Sequence, residues 1–109
     1  MTHEHPEHPG AGAELFDAAA RYEQAEPGLG HALFDGVAEA IGAIEMYPDG
    51  WPPFPGWDRE PIVRTKGTKR FHYRVVYFLS DGEPVILAYA HESQKPGYWK
   101  RRYDDMLDG

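Results

Sequence analysis

The stretch from Arg70 to Arg102 constrains the fold most, because two alternating strand patterns flank a tight turn there. Apolar and aromatic residues recur at every second position from Phe71 to Leu79, and a second alternating run extends from Val85 to His91. This period, with its β-branched and aromatic residues, is typical of β-strands. Asp81-Gly82 between the runs favours the positive φ angles of a two-residue turn. The sequence therefore predicts an antiparallel hairpin. Strict alternation in its second strand assigns one face to Val85, Leu87, Tyr89 and His91.

Two helices joined by a short connection are predicted before this hairpin. Residues 13–25 are rich in alanine and glutamate, with their apolar residues in one stripe. Glu26-Pro27-Gly28 ends this helix, because proline disfavours a helical residue before it. A second helix is predicted over residues 29–46, where apolar residues recur at spacings of three and four: Leu29, Leu33, Val37, Ile41 and Ile44. The short connection makes the pair an αα-hairpin.

Residues 47–57 carry four prolines, which remove backbone donors and predict an irregular loop. Its rings, Trp51, Phe54 and Trp57, either form a ligand platform or fold back over the edge of the core, and we favour the second. A short strand is predicted over residues 61–65 and a turn over residues 66–69. The order of elements predicts an α+β fold, with the αα-hairpin packed on one face of a small antiparallel sheet. Apolar side chains also occupy the other face, so we expect a partner to cover it.

At 109 residues the chain is expected to form one domain. We expect residues 1–12 to be a mobile polar tail, residues 13–103 to be the folded domain and residues 104–109 to be an acidic end. His3, His5 and His8 lie in this tail, where no rigid element fixes a coordination geometry, so no metal or cofactor is expected. The chain has no cysteine and no apolar run long enough to span a membrane. A cytoplasmic protein without a targeting segment is the resulting prediction.

Charge is distributed unevenly along the chain. Residues 1–58 hold eleven acidic residues and one basic residue, Arg21, whereas residues 59–102 hold ten basic and four acidic residues. The last seven residues add three aspartates, and the formal net charge is −7. Tyr98-Trp99 stand directly before Lys100-Arg101-Arg102, and aromatic rings beside cations suit phosphates, bases or an acidic peptide. The asymmetry predicts a polar molecule with one cationic face.

Three stretches resemble the RelE/ParE superfamily of type II toxin–antitoxin toxins, also called plasmid stabilisation proteins. They are AELFDAAARYEQAEPGLG, RFHYRVVY and ILAYAHESQKPGYWKRR, and the resemblance that they carry spans residues 13–102 in the superfamily's order. The resemblance implies a curved antiparallel sheet with an N-terminal strand. It also implies neutralisation by a cognate antitoxin that wraps across the toxin. Two departures stand out: THEHPEHP is a poor first strand, which we expect to be short or missing, and Glu92-Ser93-Gln94-Lys95 replaces a more basic stretch.

Two activities follow from the resemblance. ParE-like members inhibit DNA gyrase without a known bond-cleaving role, whereas RelE-like members cut messenger RNA on the ribosome. The long helical hairpin and the reduced charge after His91 favour the ParE-like activity. The alternatives are a RelE-like, metal-independent endoribonuclease, and a degenerate non-toxic member that still binds an antitoxin.

Candidate site residues follow from these activities. RNA cleavage needs proton transfer and cations around the phosphorane. The candidates for proton transfer are His91 and Tyr98, and those for charge are Arg64, Arg70 and Arg101. Partner binding is assigned to Arg70, Arg74, Tyr98, Trp99, Lys100, Arg101 and Arg102. Structural roles compete for several of them: His91 can hydrogen-bond at the end of its strand, and Tyr98 and Trp99 can belong to the core.

Overall fold

The computed structural model describes residues 5–108, which form three helices and a three-stranded antiparallel sheet. In chain order the elements are α1 (Pro9–Ala25), α2 (Leu29–Met46), β1 (Arg64–Gly67), β2 (Tyr73–Ser80), β3 (Glu83–His91) and α3 (Lys100–Asp108). The predicted α+β class is confirmed. Within this part of the chain, no helix is long and apolar enough to cross a membrane.

The central hairpin forms as its turn sequence predicts. Ser80 pairs with Glu83, and the two residues between them have positive φ angles of 51° at Asp81 and 82° at Gly82. Both angles suit the two-residue turn whose twist matches that of the flanking strands. β1 pairs with the other side of β2, which gives the order β1-β2-β3.

A β-bulge in β3 breaks the alternation that the sequence predicts. Val76 pairs with Ala88 whereas Tyr77 pairs with Ile86, so Leu87 is the extra residue between them. Beyond an extra residue, side chains change face. Leu87 therefore packs with the opposite cluster from Tyr89, and the prediction that these two share a face is wrong.

The αα-hairpin has the predicted connection, and α2 has the predicted bounds. Gly28 begins α2 with φ of 95°, and the Glu23 carboxylate accepts hydrogen bonds from the backbone N–H groups of Gly28 and Gly30 at 3.0–3.1 Å. A Cβ at Gly30 would lie 2.6 Å from the Ala19 carbonyl oxygen, so the helices approach each other closely there. The buried sides of both helices pack on one face of the sheet.

Residues 5–12 do not form the free tail that was expected. The Ile86 N–H donates to the Pro6 carbonyl and the His8 N–H donates to the Ile86 carbonyl, both at 2.9 Å, around a parallel bridge at Glu7. His8 then caps α1, because its Nδ1 accepts the Gly10 N–H at 3.0 Å. The helix therefore begins four residues before the predicted start. His3 lies outside the described residues.

The second face of the sheet is covered by the chain itself, which corrects the expectation that a partner covers it. Residues 100–108, predicted as a cationic tail and an acidic end, form α3, and Trp99 and Tyr103 are buried against this face. Phe54 and Trp57 pack on the same cluster. The aromatic rings of the irregular loop thus fold back over the core, as favoured. The first strand runs from Arg64 to Gly67 rather than over residues 61–65.

Candidate functional site

A groove of about 640 Å³ opens between the proline-rich loop and the segment that follows β3. The loop wall is held against the strand, because the Phe54 N–H donates to the Val63 carbonyl at 2.7 Å and the Thr65 N–H donates to the Pro52 carbonyl at 3.1 Å. The opposite wall is part of the sequence ILAYAHESQKPGYWKRR, whose Gly97 turns the chain with φ of 80°. The motif that carries the family resemblance therefore forms one side of a cleft.

Cations surround this cleft, which we call the cationic groove. It is lined by Arg74, Lys95 and Lys100, and Lys95 and Lys100 are exposed. The Arg74 guanidinium donates to Thr65 Oγ1 at 3.0–3.1 Å and lies 4.0 Å from the Glu92 carboxylate. Glu92 is the single acidic residue in the lining, so the rim carries a net positive charge.

The wall and floor of the cationic groove are apolar. Trp99 is 1% exposed, and its ring meets Phe54 edge-on with the centroids 4.9 Å apart. Val76 and Ala90 of the sheet also line the cleft. An apolar centre with a cationic rim fits an anionic ligand that also carries apolar or aromatic groups.

His91 stands at the end of β3, where it lines both the cationic groove and a second groove. Its Nδ1 accepts the Ser93 backbone N–H at 3.0 Å and lies 2.7 Å from Ser93 Oγ. Because Nδ1 accepts a hydrogen bond, the proton of the neutral ring is assigned to Nε2. The ring therefore presents an N–H donor to a ligand, while the nitrogen that would accept a proton is already engaged.

Tyr98 and Arg102 attach the C-terminal segment to α1. The Tyr98 hydroxyl donates to the Glu14 carboxylate, and Arg102 pairs with the same carboxylate at 2.8 Å and donates to the Leu87 carbonyl at 3.1 Å. Burial, and then the adjacent Glu14 carboxylate, raise the pKa of Tyr98 well above its usual range. A phenol held neutral in this way is a poor base. The structure gives both residues a structural role.

The remaining arginine candidates are not gathered into one site. Arg64 donates to the Trp51 carbonyl at 2.8 Å and so holds the loop. The Arg70 guanidinium stacks over Phe71 at 4.9 Å in the turn before β2. Arg101 is exposed on α3. Of the predicted residues, the cationic groove brings together Arg74, His91, Tyr98, Trp99 and Lys100, and it does not include Arg64, Arg70, Arg101 or Arg102.

Two groove residues were missed by the sequence interpretation. Lys95 was treated as part of a stretch of reduced charge, although it precedes the Pro96-Gly97 turn that places it on the rim. For Phe54 we favoured a role at the edge of the core over a ligand platform, whereas the ring both packs on the core cluster and lines the groove. The pairing of Phe54 with Trp99 joins residues 45 positions apart, and no local pattern predicts it.

The second groove, of about 630 Å³, lies between α1 and the ends of β2 and β3. Its lining includes Asp17, Arg21, Tyr73 and Tyr89. Burial raises the pKa of the Tyr89 hydroxyl, which also donates to the Glu7 carboxylate at 2.8 Å. Across residues 5–108, no group of three histidine, cysteine, aspartate or glutamate side chains is arranged to hold a metal ion.

Comparison with known proteins gives no relative: no family model, no curated protein and no solved structure matches this chain. The resemblance to the RelE/ParE superfamily therefore rests on the three sequence stretches quoted above.

Proposed function

We propose that the protein is the toxin of a type II toxin–antitoxin system and acts by binding its target, as in the ParE-like block of DNA gyrase. We favour binding over cleavage because of the hydrogen bond that His91 Nδ1 accepts. Its Nδ1 already accepts the Ser93 N–H, so the ring lone pair that a general base would use is occupied. Tyr98, the other proton-transfer candidate, is committed to Glu14.

The assignment to this toxin class is supported by the order of the elements and by the N-terminal pairing. The resemblance implies an N-terminal strand, an αα-hairpin and an antiparallel sheet. The chain has the hairpin and the sheet, and residues 6–8 form an isolated parallel bridge to β3, which is compatible with a short N-terminal strand. The closing motif lies along the cationic groove, which is the surface best suited to a target or antitoxin.

The antitoxin is proposed to place an acidic segment in the cationic groove. The broad apolar sheet face that motivated an acidic partner is occupied by α3 and the loop rings. What remains exposed is the narrower cleft, with Lys95 and Lys100 on its rim and Trp99 in its wall. An extended acidic peptide with occasional apolar side chains would pair with the rim and contact this wall.

Induced expression in bacteria, together with an assay on purified gyrase, tests the proposed function with three separate readouts. We expect growth arrest, inhibition of DNA supercoiling by purified gyrase, and intact transcripts in primer-extension assays. The double substitution Lys95→Ala/Lys100→Ala should relieve the arrest, whereas Lys69→Ala should not. Lys69 is a matched control, because it is exposed and lies outside the groove, where it pairs with Glu39.

A RelE-like endoribonuclease is the second candidate, because Arg74, His91 and Lys100 line one cleft. In that case, expression would cleave ribosome-bound transcripts, and His91→Ala would abolish the cleavage while leaving antitoxin binding intact. Growth without arrest, together with antitoxin binding, would instead identify a non-toxic member. Either result would overturn the ParE-like proposal.

A further inference from the structure

The outward side of the αα-hairpin carries large apolar side chains that the fold does not bury. Phe16 is 72% exposed, Phe34 is 40% exposed and Met46 is 73% exposed. The rings of Phe16 and Phe34 meet edge-on across the two helices, with centroids 6.4 Å apart and an interplanar angle of 73°. A cluster of large exposed apolar side chains on one surface is unusual unless it serves as a contact surface.

Small residues continue this surface along α2. Phe34, Ala38, Gly42 and Met46 follow one another at intervals of four, so they form one ridge of the helix. Ala20 follows Phe16 at the same interval on α1. We call these six residues the outer apolar stripe. Four-residue spacing from 34 to 46 gives it a length of roughly 18 Å.

Gly42 leaves this ridge of α2 open to an external contact. Glycine weakens the interior of a helix relative to alanine. A Cβ built at Gly42 meets no other atom within 4 Å, so the packing of the chain itself does not require glycine there. A glycine open to the outside allows the backbone of another helix to approach closely.

The charges beside the outer apolar stripe are mostly acidic, although the exposed Arg21 directly follows Ala20. Asp17, Asp35 and Glu39 follow Phe16, Phe34 and Ala38 directly, and all three acids are exposed. Lys69 pairs with Glu39 at 3.1 Å, but both side chains are largely in solvent, where such pairs are weak. A second copy docked by two-fold symmetry would place acidic residues against acidic residues. The stripe therefore suits a basic partner.

We propose that the outer apolar stripe docks a basic amphipathic helix of a partner protein. The apolar residues of that helix would contact Phe16 and Phe34 and lie over Gly42, and its lysines or arginines would pair with the flanking acids. About twelve residues of helix match the length of the stripe. This surface shares no residue with the cationic groove, so the inference is independent of the proposed function.

The test uses two fluorescent 18-residue helical peptides with the same leucine face, one with lysine and one with glutamate at the polar positions. We expect the Leu–Lys peptide to bind the intact protein in anisotropy titrations. Phe16→Ser/Phe34→Ser should weaken this binding at least roughly tenfold, because buried aromatic anchors dominate helix docking. Leu107→Ser is the matched control: Leu107 is 45% exposed on α3, and its loss should leave the affinity unchanged.

Gly42→Gln provides a second variant that separates docking from folding. The added side chain has open space, so the melting temperature should hold or rise, while the peptide affinity should fall. If the Leu–Lys peptide bound the wild type and both stripe variants with equal affinity, charge attraction alone would explain the binding. That result would overturn the proposal. Sedimentation velocity showing a dimer that Phe16→Ser/Phe34→Ser dissociates would overturn it in favour of a second copy.

Discussion

Arg101 and Arg102 are adjacent in the sequence, yet the fold uses them differently. Arg102 is 20% exposed and its guanidinium joins Glu14, which is 19% exposed, to the Leu87 carbonyl. It also packs on Gly10, where an added Cβ would lie 2.9 Å from its Cζ atom. Arg101 is exposed. Of the three consecutive basic residues at positions 100–102, Arg102 therefore stabilises the fold.

The first prediction compares these two arginines. Arg102→Ala should lower the free energy of unfolding by about 2 kcal/mol, because a mostly buried carboxylate loses its charged donor. Arg101→Ala should change it by less than about 0.5 kcal/mol. Urea denaturation of both variants measures the difference, and equal losses would contradict the structural role of Arg102.

The second prediction concerns pH. Burial raises the pKa of Tyr77 to about 12, and its hydroxyl donates to the Pro48 carbonyl at 2.7 Å. The folded state favours the neutral phenol, so its contribution is complete below the unfolded pKa of about 10 and is lost as pH rises towards 12. We expect the free energy of unfolding to fall over this range, with a share on the order of 2 kcal/mol from Tyr77.

Tyr77→Phe should remove that share of the alkaline slope in urea denaturation series. Tyr47→Phe is the control, since Tyr47 is 63% exposed. Burial also raises the pKa of Tyr89 and Tyr98, so part of the slope should remain in either variant. Identical slopes for the wild type and Tyr77→Phe would contradict the prediction.

At the scale of elements, the N-terminal segment is ordered over residues 5–12, although its composition predicts a mobile tail. Its prolines and histidines predict a polar tail, but the backbone of residues 6–8 pairs with β3 and His8 caps α1. Backbone pairing requires no apolar side chain, so hydrophobic periodicity does not detect it.

The third prediction is that deleting residues 1–8 destabilises the domain. The two backbone hydrogen bonds to β3, the cap of α1 and the hydrogen bond from the Tyr89 hydroxyl to Glu7 are lost, which together amount to roughly 4 kcal/mol. His8→Ala should remove the cap, at about 1 kcal/mol, together with the 3.2 Å contact between His8 Nε2 and the Asp105 carboxylate, and His8→Asn should restore the cap, because asparagine is a strong N-cap. Thermal denaturation distinguishes these cases. An unchanged melting temperature after the deletion would restore the interpretation of a free tail.

Other elements show where sequence reasoning succeeds and why it stops. The bounds of α2 and the turn of the β2–β3 hairpin follow from local rules, which are apolar periodicity and the chemistry of Asp81-Gly82. The bulge at Leu87 depends on the register between β2 and β3, which local sequence patterns do not determine. α3 was missed although Trp99, Tyr103 and Met106 carry helical spacing, because its dense charges suggested a solvated tail.

At the scale of the whole molecule, the cationic surface predicted from the charge asymmetry is present but smaller than expected. The predicted cationic sheet face is reduced to the cationic groove, because α3 and the loop cover the sheet. Tertiary contacts alone decide which of the ten basic residues in 59–102 remain exposed for binding a ligand. The acidic αα-hairpin packs on the other face of the sheet, so a protein of net charge −7 still carries a local cationic cleft.

The fourth prediction follows from the distance over which these charges act. The molecule measures 41 × 28 × 25 Å, whereas charges are screened beyond about 8 Å at physiological ionic strength. An acidic peptide approaching the cationic groove therefore meets Lys95 and Lys100 and is little affected by acids on the far side. We expect its association rate to fall as salt rises above this level, because added salt screens the attraction between the acidic peptide and the two rim lysines still further.

The dissociation rate should depend on salt much less, since retention relies on apolar contact within the groove. Stopped-flow measurements with an extended acidic peptide that carries occasional leucines, taken over a salt series, test both rates. Lys95→Ala/Lys100→Ala should lower the association rate at physiological salt and flatten its salt dependence, whereas Lys69→Ala should leave both unchanged. An association rate that does not change with salt would mean that the rim charges do not steer the peptide. That result would contradict the proposal that the antitoxin binds in the cationic groove.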